Sequence, residues 1–268
     1  MAPIQHSSGL DSLVFGTMRL KPSCTNLLEY LLQSGVRRFH SSLEYDSFSH
    51  FTNALPVACA KAGVDISSLR HIVKLASPHF GESRFDAGDV SAKIDYYRHH
   101  LAVEKLDIVQ WMARMDLADD AARVQCLESE DSLISAFAEE AKNSGVIERF
   151  GCFPYSHSFR HAVVRKPWCD ALLDYLNIEE TDALATIDEL RENQSLIAIR
   201  PFYPTMVDPD SLKPEKTIPT VHACLAYVLE NEKVEAVVAS AGSKEHAKEL
   251  VELVHAQRSS CMSAEAPP

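Results

Sequence analysis

The chain has 268 residues, 46% of them hydrophobic, and a formal net charge of -12. The length suits one large domain or two small ones, and the acidic balance argues against nucleic acid and anionic membrane surfaces as partners. No apolar run reaches the ~18 residues of a membrane span, and the first residues lack the basic start of a signal peptide. We therefore expect a cytoplasmic protein that binds a small molecule, with its oligomeric state left open.

Short apolar runs and amphipathic segments alternate along the chain. The apolar runs predict strands at residues 12–16, 36–41, 71–76, 107–111, 149–153, 171–176, 196–201 and 236–240. The amphipathic segments predict helices at residues 24–34, 48–62, 89–101, 132–144, 159–164, 181–193, 219–230 and 245–255. The polar stretches 78–89 and 116–131 are predicted as loops, and the end of the chain, 259–268, as a disordered tail.

Eight strand-then-helix units in about 250 residues favour a parallel sheet with helices outside it. A single closed (β/α)8 TIM barrel over residues 1–258 fits this count, and its loops after the strands form the active face. An open doubly wound sheet is the alternative, but no Gly-x-Gly-x-x-Gly follows the first strand. We expect buried strands to contain Phe39, Val73, Val109, Phe150, Ile199 and Val237.

The cysteines agree with a reducing compartment. They are seven in number, and no two of them form a Cys-x-x-Cys pair. An odd count without paired spacing is typical of reduced thiols and not of a disulfide framework or a zinc site. We predict no metal site.

The segment 38–45 reads RFHSSLEY. It resembles the strand-to-helix phrase Phe-Asp-Thr-Ala-x-x-Tyr of the aldo-keto reductases, with His40 in place of the aspartate. The segments 13–17, 35–39, 71–74, 106–112, 144–151 and 239–246 resemble further phrases of that family, in the same order. The resemblance implies the family's barrel and an oxidoreductase that transfers hydride between NADPH and a carbonyl compound.

The resemblance also implies which residues carry the reaction. The family tyrosine, which protonates the carbonyl oxygen, falls on Tyr45, and the family lysine falls on Lys74. The aspartate that pairs with that lysine falls on His40, and the histidine that orients the carbonyl falls on Met112. Two of the four positions are therefore kept and two are changed.

These changes alter the expected chemistry. An interior lysine without its carboxylate loses an ion pair, which would make it a better base and a possible Schiff-base nucleophile. Met112 offers no proton, so it cannot polarise a carbonyl. Glu44 and His79, both near predicted strand ends, are candidates to compensate.

The family's cofactor contacts are also changed. Its Ser-Asn pair at the nicotinamide amide falls on Phe153-Pro154, and its glutamine falls near Leu173. The arginine for the adenosine 2′-phosphate falls on His246. The remaining candidates for binding NADPH are Thr17, Arg200, Ser240, Gly242, Ser243 and Lys244, the last four in a turn before a predicted helix.

Three hypotheses about function follow. The first is an NADPH-dependent carbonyl reductase with an altered tetrad. The second is a non-redox lyase or isomerase that uses Lys74 and Tyr45 on the same barrel. The third is a binding or regulatory protein without catalysis. Trp111, at the end of a predicted strand, is a candidate fluorescence reporter of cofactor binding.

Overall fold

A computed structural model describes residues 10–75, 84–112, 120–203 and 219–264. Eight parallel strands close into a barrel in chain order, with β8 paired to β1. The strands are β1 (Leu13–Gly16), β2 (Arg38–Ser42), β3 (Arg70–Lys74), β4 (Leu106–Met112), β5 (Ile147–Phe153), β6 (Ala171–Tyr175), β7 (Ser195–Ile199) and β8 (Val234–Ala239). This confirms the predicted TIM barrel and excludes the open sheet.

Helices alternate with the strands on the outside of the barrel. In the described part of the chain they are α1 (Thr25–Gln33), α2 (Phe48–Ala62), α3 (Ala87–Leu101), α4 (Asp120–Asn143), α5 (His157–Val164), α6 (Leu184–Ile187), α7 (Val221–Leu229) and α8 (Lys244–Ala264). Their ends follow local rules. Asp86 caps α3 by accepting from the amide of Asp89, and α2 ends at Gly63 with φ 67°, a left-handed conformation that glycine adopts without strain.

Alternate residues of each strand face inwards and outwards. An aliphatic cluster fills the middle of the barrel: Val14, Ile72, Ile108, Ala171, Leu173, Ile197 and Ala236. The outward set packs against the helices, and it includes five of the six residues predicted to be buried: Phe39, Val73, Val109, Phe150 and Val237. The sixth, Ile199, is only half-buried because it is the last residue of β7.

Charged residues close the N-terminal end of the barrel. The carboxylate of Asp107 lies 2.9 Å from Arg38 Nη2, 2.9 Å from Arg70 Nη2 and 3.0 Å from Arg149 Nη2. Glu235 takes a second contact from Arg38, at 2.9 Å, and one from Arg149, at 2.5 Å. Arg38 and Asp107 have side chains only 1% exposed, so the network replaces water as the partner of these charges.

Three helices differ from the prediction. The stretch 116–131, predicted as a loop, is helical from Asp120 onwards, because Arg123, Leu127 and Ile134 form a buried stripe beneath its acidic face. The segment 181–193 contains only the single turn of α6. Helix α8 continues to Ala264, past the predicted start of the tail. Residues 78–83, including His79, lie outside the described residues.

No helix in the described ranges is both long enough and apolar enough to cross a membrane.

Candidate active site

Tyr45 and Lys74 meet at the C-terminal ends of the strands, called here the mouth of the barrel. Lys74 is the last residue of β3 and is in register with Ser42, the last residue of β2. A turn closed by the Tyr45 amide on the Ser42 carbonyl then brings the tyrosine back over β3. The Lys74 ammonium lies 5.5 Å from the centroid of the Tyr45 ring, within cation–π range.

Glu44 supplies a carboxylate to Lys74. Its Oε2 lies 2.7 Å from Lys74 Nζ, and the two side chains are 19% and 15% exposed. The expected loss of an ion pair at this lysine was therefore wrong, and Glu44, one of the two residues named as candidates to compensate, supplies the carboxylate. The carboxylate comes from the loop after β2 instead of from the strand position now occupied by His40.

Tyr97, a residue that the sequence analysis missed, holds this loop in place. Its hydroxyl accepts a hydrogen bond from the Leu43 amide at 2.8 Å and donates one to the Lys74 carbonyl at 2.6 Å. The side chain is fully buried on α3. Because one hydroxyl joins the ends of β2 and β3, it fixes the spacing between Glu44 and Lys74.

The environment of Tyr45 keeps its phenol protonated. Burial raises the pKa of Tyr45, and the negative charge of Glu44 and the neighbouring Tyr175 phenol raise it further. A phenol with a raised pKa carries its proton at neutral pH, so it is a poor candidate for a general base.

His40 is neutral and is held by Gln110 of β4, the next strand but one in the barrel. Burial, together with the charge of Lys74, lowers the pKa of His40 to about 4, against a smaller opposing effect of its hydrogen bond to Gln110. Its Nε2 lies 2.8 Å from Gln110 Oε1, so this nitrogen is the donor when the amide oxygen accepts. The His40 and Tyr45 ring centroids are 6.3 Å apart. His40 therefore borders the phenol as an uncharged ring.

Met112 accepts hydrogen bonds at the mouth. Gln110 Nε2 lies 3.1 Å from its sulfur, and the Tyr155 hydroxyl lies 3.7 Å from it. The thioether has no proton to give, as expected from the sequence. Gln110 was not singled out there, although a polar residue inside the strand Leu106–Met112 was a usable signal.

Aromatic residues form one wall of the mouth. Phe153 packs edge-to-face against Tyr155 at 4.2 Å and against Tyr175 at 4.9 Å. Arg200 lies over the Tyr175 ring at 4.5 Å and over the Tyr203 ring at 4.3 Å. Arg200 was proposed from the sequence, but the three tyrosines were not; Tyr175 ends β6, and Tyr155 and Tyr203 follow β5 and β7.

The predicted phosphate-binding turn lies at the start of α8. Ser243 Oγ accepts from the His246 amide at 3.2 Å, and Ser240 Oγ donates to the Gly16 carbonyl at 2.8 Å. Gly242 is exposed, and an added Cβ would meet no atom within 4 Å. The Lys244 ammonium lies over the Tyr30 ring at 5.4 Å. The turn has open space, a cation and the amides of a helix start.

The donors of this turn fit a phosphate. Hydrogen bonds from its own backbone and from Ser243 lower the pKa of Glu245, so the helix start already stabilises a carboxylate. The other candidate positions fit a nucleotide less well. Thr17 is fully buried, and Leu173 is an apolar residue of the barrel interior. The mouth of the barrel therefore has aromatic faces where the resemblance led us to expect polar groups for a nicotinamide amide.

Comparisons with known proteins identify relatives by structure alone. No family model and no curated protein sequence matches the chain. Among solved structures, an aldo-keto reductase of the silkworm Bombyx mori complexed with NADPH matches with a TM-score of 0.67 and 14% identity, over 90% of this chain and 79% of that one. An aldo-keto reductase of Bacillus halodurans in its holo form matches with a TM-score of 0.62 and 15% identity, over 96% and 87%.

A putative 2,5-diketo-D-gluconic acid reductase B is similar to the same extent. Its TM-score is 0.65 and its identity 17%, over 91% of this chain and 82% of that one. At these identities the likeness concerns the fold. The chain has the barrel of the aldo-keto reductases, as the order of its sequence phrases predicted.

Proposed function

We propose that this protein is an NADPH-dependent reductase of aldehydes or ketones, a divergent aldo-keto reductase in which Tyr45 is the proton donor. One observation carries the proposal: the Tyr45 ring lies 5.5 Å from the ammonium of Lys74, which is itself paired with the carboxylate of Glu44 at the mouth of the barrel. A group that must protonate a developing alkoxide needs its proton at neutral pH and a nearby cation to stabilise the anion it leaves.

Each residue has a separate task in the proposed step. NADPH, when bound, supplies the hydride to the carbonyl carbon. Tyr45 donates its proton to the carbonyl oxygen, and the Lys74 ammonium stabilises the tyrosinate that forms. Glu44 keeps that ammonium in position through its 2.7 Å contact. His40 remains neutral, so it adds no second positive charge next to Lys74.

The turn before α8 is the proposed binding site for the adenosine phosphates. Ser240, Gly242, Ser243 and Lys244 would contact them, with the exposed His246 near the 2′-phosphate. An imidazole is a weaker phosphate partner than a guanidinium, so discrimination between NADPH and NADH should be modest.

The geometry disfavours a lysine-centred reaction. Schiff-base formation needs a neutral amine, whereas the Lys74 side chain is engaged with a carboxylate at 2.7 Å. A base role for Tyr45 is disfavoured by its raised pKa. A protein without catalysis remains an outcome of the experiment below.

The test is NADPH oxidation in the presence of a panel of aldehydes and ketones, in the wild type and in Tyr45→Phe. The variant should lose at least about 100-fold in turnover, because the proton donor is removed. Its affinity for NADPH should be unchanged. Tyr96→Phe is the matched control, since Tyr96 is exposed on α3 and stacks on His100.

Cofactor binding is best followed by the fluorescence of the reduced nicotinamide. The sequence suggested Trp111 as reporter, but its ring packs against Phe85 at 5.7 Å and Trp168 at 5.8 Å on the helix side of β4. Full carbonyl reduction by Tyr45→Phe, or no response to millimolar NADPH in the wild type, would remove the basis of the proposal.

A further inference from the structure

The backbone of Arg200 is held in a strained conformation directly after β7. Its φ is 59°, in the left-handed region that non-glycine residues adopt only with strain. Its carbonyl accepts from Asn177 Nδ2 and from the Tyr203 amide, both at 3.1 Å. Such strain persists only where surrounding contacts fix it, and here the contacts direct the arginine side chain to the mouth.

The planar guanidinium of Arg200 is held between two aromatic rings. Its Cζ lies 4.5 Å from the Tyr175 centroid and 4.3 Å from the Tyr203 centroid, so both rings flank it. Stacking covers the faces of a guanidinium and leaves its N–H edge free to bind a planar oxyanion with two hydrogen bonds. The guanidinium is therefore preorganised for binding a ligand.

The charge of Arg200 is only weakly compensated by the described residues. Within the described ranges its ion-pair partner is Glu180, whose Oε1 lies 3.4 Å from Nη1, at the outer limit of a hydrogen bond. The Arg200 side chain is 41% exposed. A guanidinium has five N–H donors, so this one contact leaves most of its binding capacity unused by the described residues.

Aromatic side chains adjoin Arg200 at the mouth of the barrel. Arg200 lies over the ring of Tyr175, whose phenol also contributes to the raised pKa of Tyr45. Phe153 packs on the other side of Tyr175. A ligand with its carbonyl at Tyr45 would therefore extend along aromatic surface towards the guanidinium.

We infer that Arg200 binds an oxyanion of the substrate, and that the protein reduces carbonyl compounds carrying a carboxylate or phosphate beyond a flat or short apolar spacer. The inference rests on the proposed function. It differs from the expectation that Arg200 contacts the cofactor. Because the pyrophosphate of a nucleotide has the same oxyanion chemistry, the experiment must separate these two sources.

The experiment compares 4-carboxybenzaldehyde with its neutral methyl ester as substrates of the wild type, Arg200→Met and Arg200→Lys. The wild type should favour the acid in kcat/KM by about tenfold to a hundredfold, the range of a charge-assisted contact. Arg200→Met should abolish that preference through a higher KM for the acid and leave the ester unaffected. Arg200→Lys should fall between them. Arg165→Met, at an exposed arginine paired with Glu189, is the control and should behave as the wild type.

Two further measurements separate the possible failures. An unchanged preference for the acid in Arg200→Met, or equal rates for acid and ester in the wild type, overturns the inference. The inference is also overturned if Arg200→Met binds NADPH more weakly but still prefers the acid to the ester, because this result assigns Arg200 to the pyrophosphate. If neither aldehyde is reduced, the proposed function fails, and binding of terephthalate then tests the oxyanion site separately. Binding by the wild type that is lost in Arg200→Met supports an oxyanion site at Arg200. No binding of terephthalate by the wild type overturns the inference.

Discussion

Replacing Asp107 with Asn removes the carboxylate that three arginines share at the N-terminal end of the barrel. The amide keeps the shape of the side chain but offers one oxygen and no charge to Arg38, Arg70 and Arg149. Arg38 then lies fully buried with only Glu235 as a charged partner in the described network. Breaking a buried ion pair by removing one member costs about 3–5 kcal/mol, so we expect this loss in the free energy of unfolding.

The same network predicts the dependence of stability on pH. Burial favours the neutral form of Asp107, but the charges of Arg38, Arg149 and Arg70 outweigh it and lower the pKa. Burial is likewise outweighed at Glu235, where Arg149 and Arg38 lower the pKa to about 2. A folded-state pKa below the unfolded value gives stability that is present above about pH 4 and is lost as the pH falls through the folded value.

Urea denaturation followed by circular dichroism measures both effects. Near neutral pH, Asp107→Asn should lower the unfolding midpoint without changing the slope. Between neutral pH and about pH 3, its stability should fall less steeply than that of the wild type, since one of the titrating carboxylates is gone. Glu148→Gln is the control, because the Glu148–Lys105 pair is exposed and 3.6 Å long, worth about 0–1 kcal/mol. A variant within 1 kcal/mol of the wild type would refute the assigned role of Asp107.

Three predictions concern the mouth of the barrel. Glu44→Gln should lower kcat/KM for carbonyl reduction by about 10–100-fold, because the ion pair that positions Lys74 becomes a weaker neutral contact. Glu29→Gln, which changes the ion pair with Lys61 on the outside of the barrel, is the control and should have no effect on kcat/KM. Met112→His should raise kcat about tenfold, since it restores a hydrogen-bond donor to the carbonyl oxygen of the substrate. An unchanged or lower kcat would show that the wild type does not lack such a donor. His246→Arg should increase the preference for NADPH over NADH about tenfold in kcat/KM, from below about a hundredfold in the wild type.

The barrel could be predicted because its signal is repeated. Eight apolar runs alternate with eight amphipathic segments, and errors at single boundaries leave the count unchanged. The helix 48–62 was predicted with its observed bounds. The N-terminal half of α4 was missed because it has many acidic residues and few apolar ones at helical spacing. One position of its buried face is Arg123, which looks like a surface residue in the sequence but is buried in the fold.

The site was predictable only in part. The spacing from β2 to Tyr45 and from β3 to Lys74 is local, so family phrases located both residues. Hydrogen-bond partners that come from distant segments cannot be recognised from the local sequence. The Tyr97 hydroxyl, 23 residues from Lys74 in sequence, and the Gln110 amide, 70 residues from His40, acquire their roles only when the strands close into a barrel. Glu44 was proposed as a compensating residue, but nothing in the sequence required its carboxylate to turn towards Lys74.

His40 and Glu44 are complementary in charge as neighbours of Lys74. A carboxylate at the strand position of residue 40 would add a second negative charge to the one that Glu44 already brings to the lysine. A protonated imidazole there would instead repel the ammonium. His40 avoids both, because burial keeps it neutral and Gln110 takes its Nε2 as a hydrogen-bond partner. The charge beside Tyr45 is thus balanced by one lysine and one glutamate, and a neutral His40 is compatible with the proton donation that we propose for Tyr45.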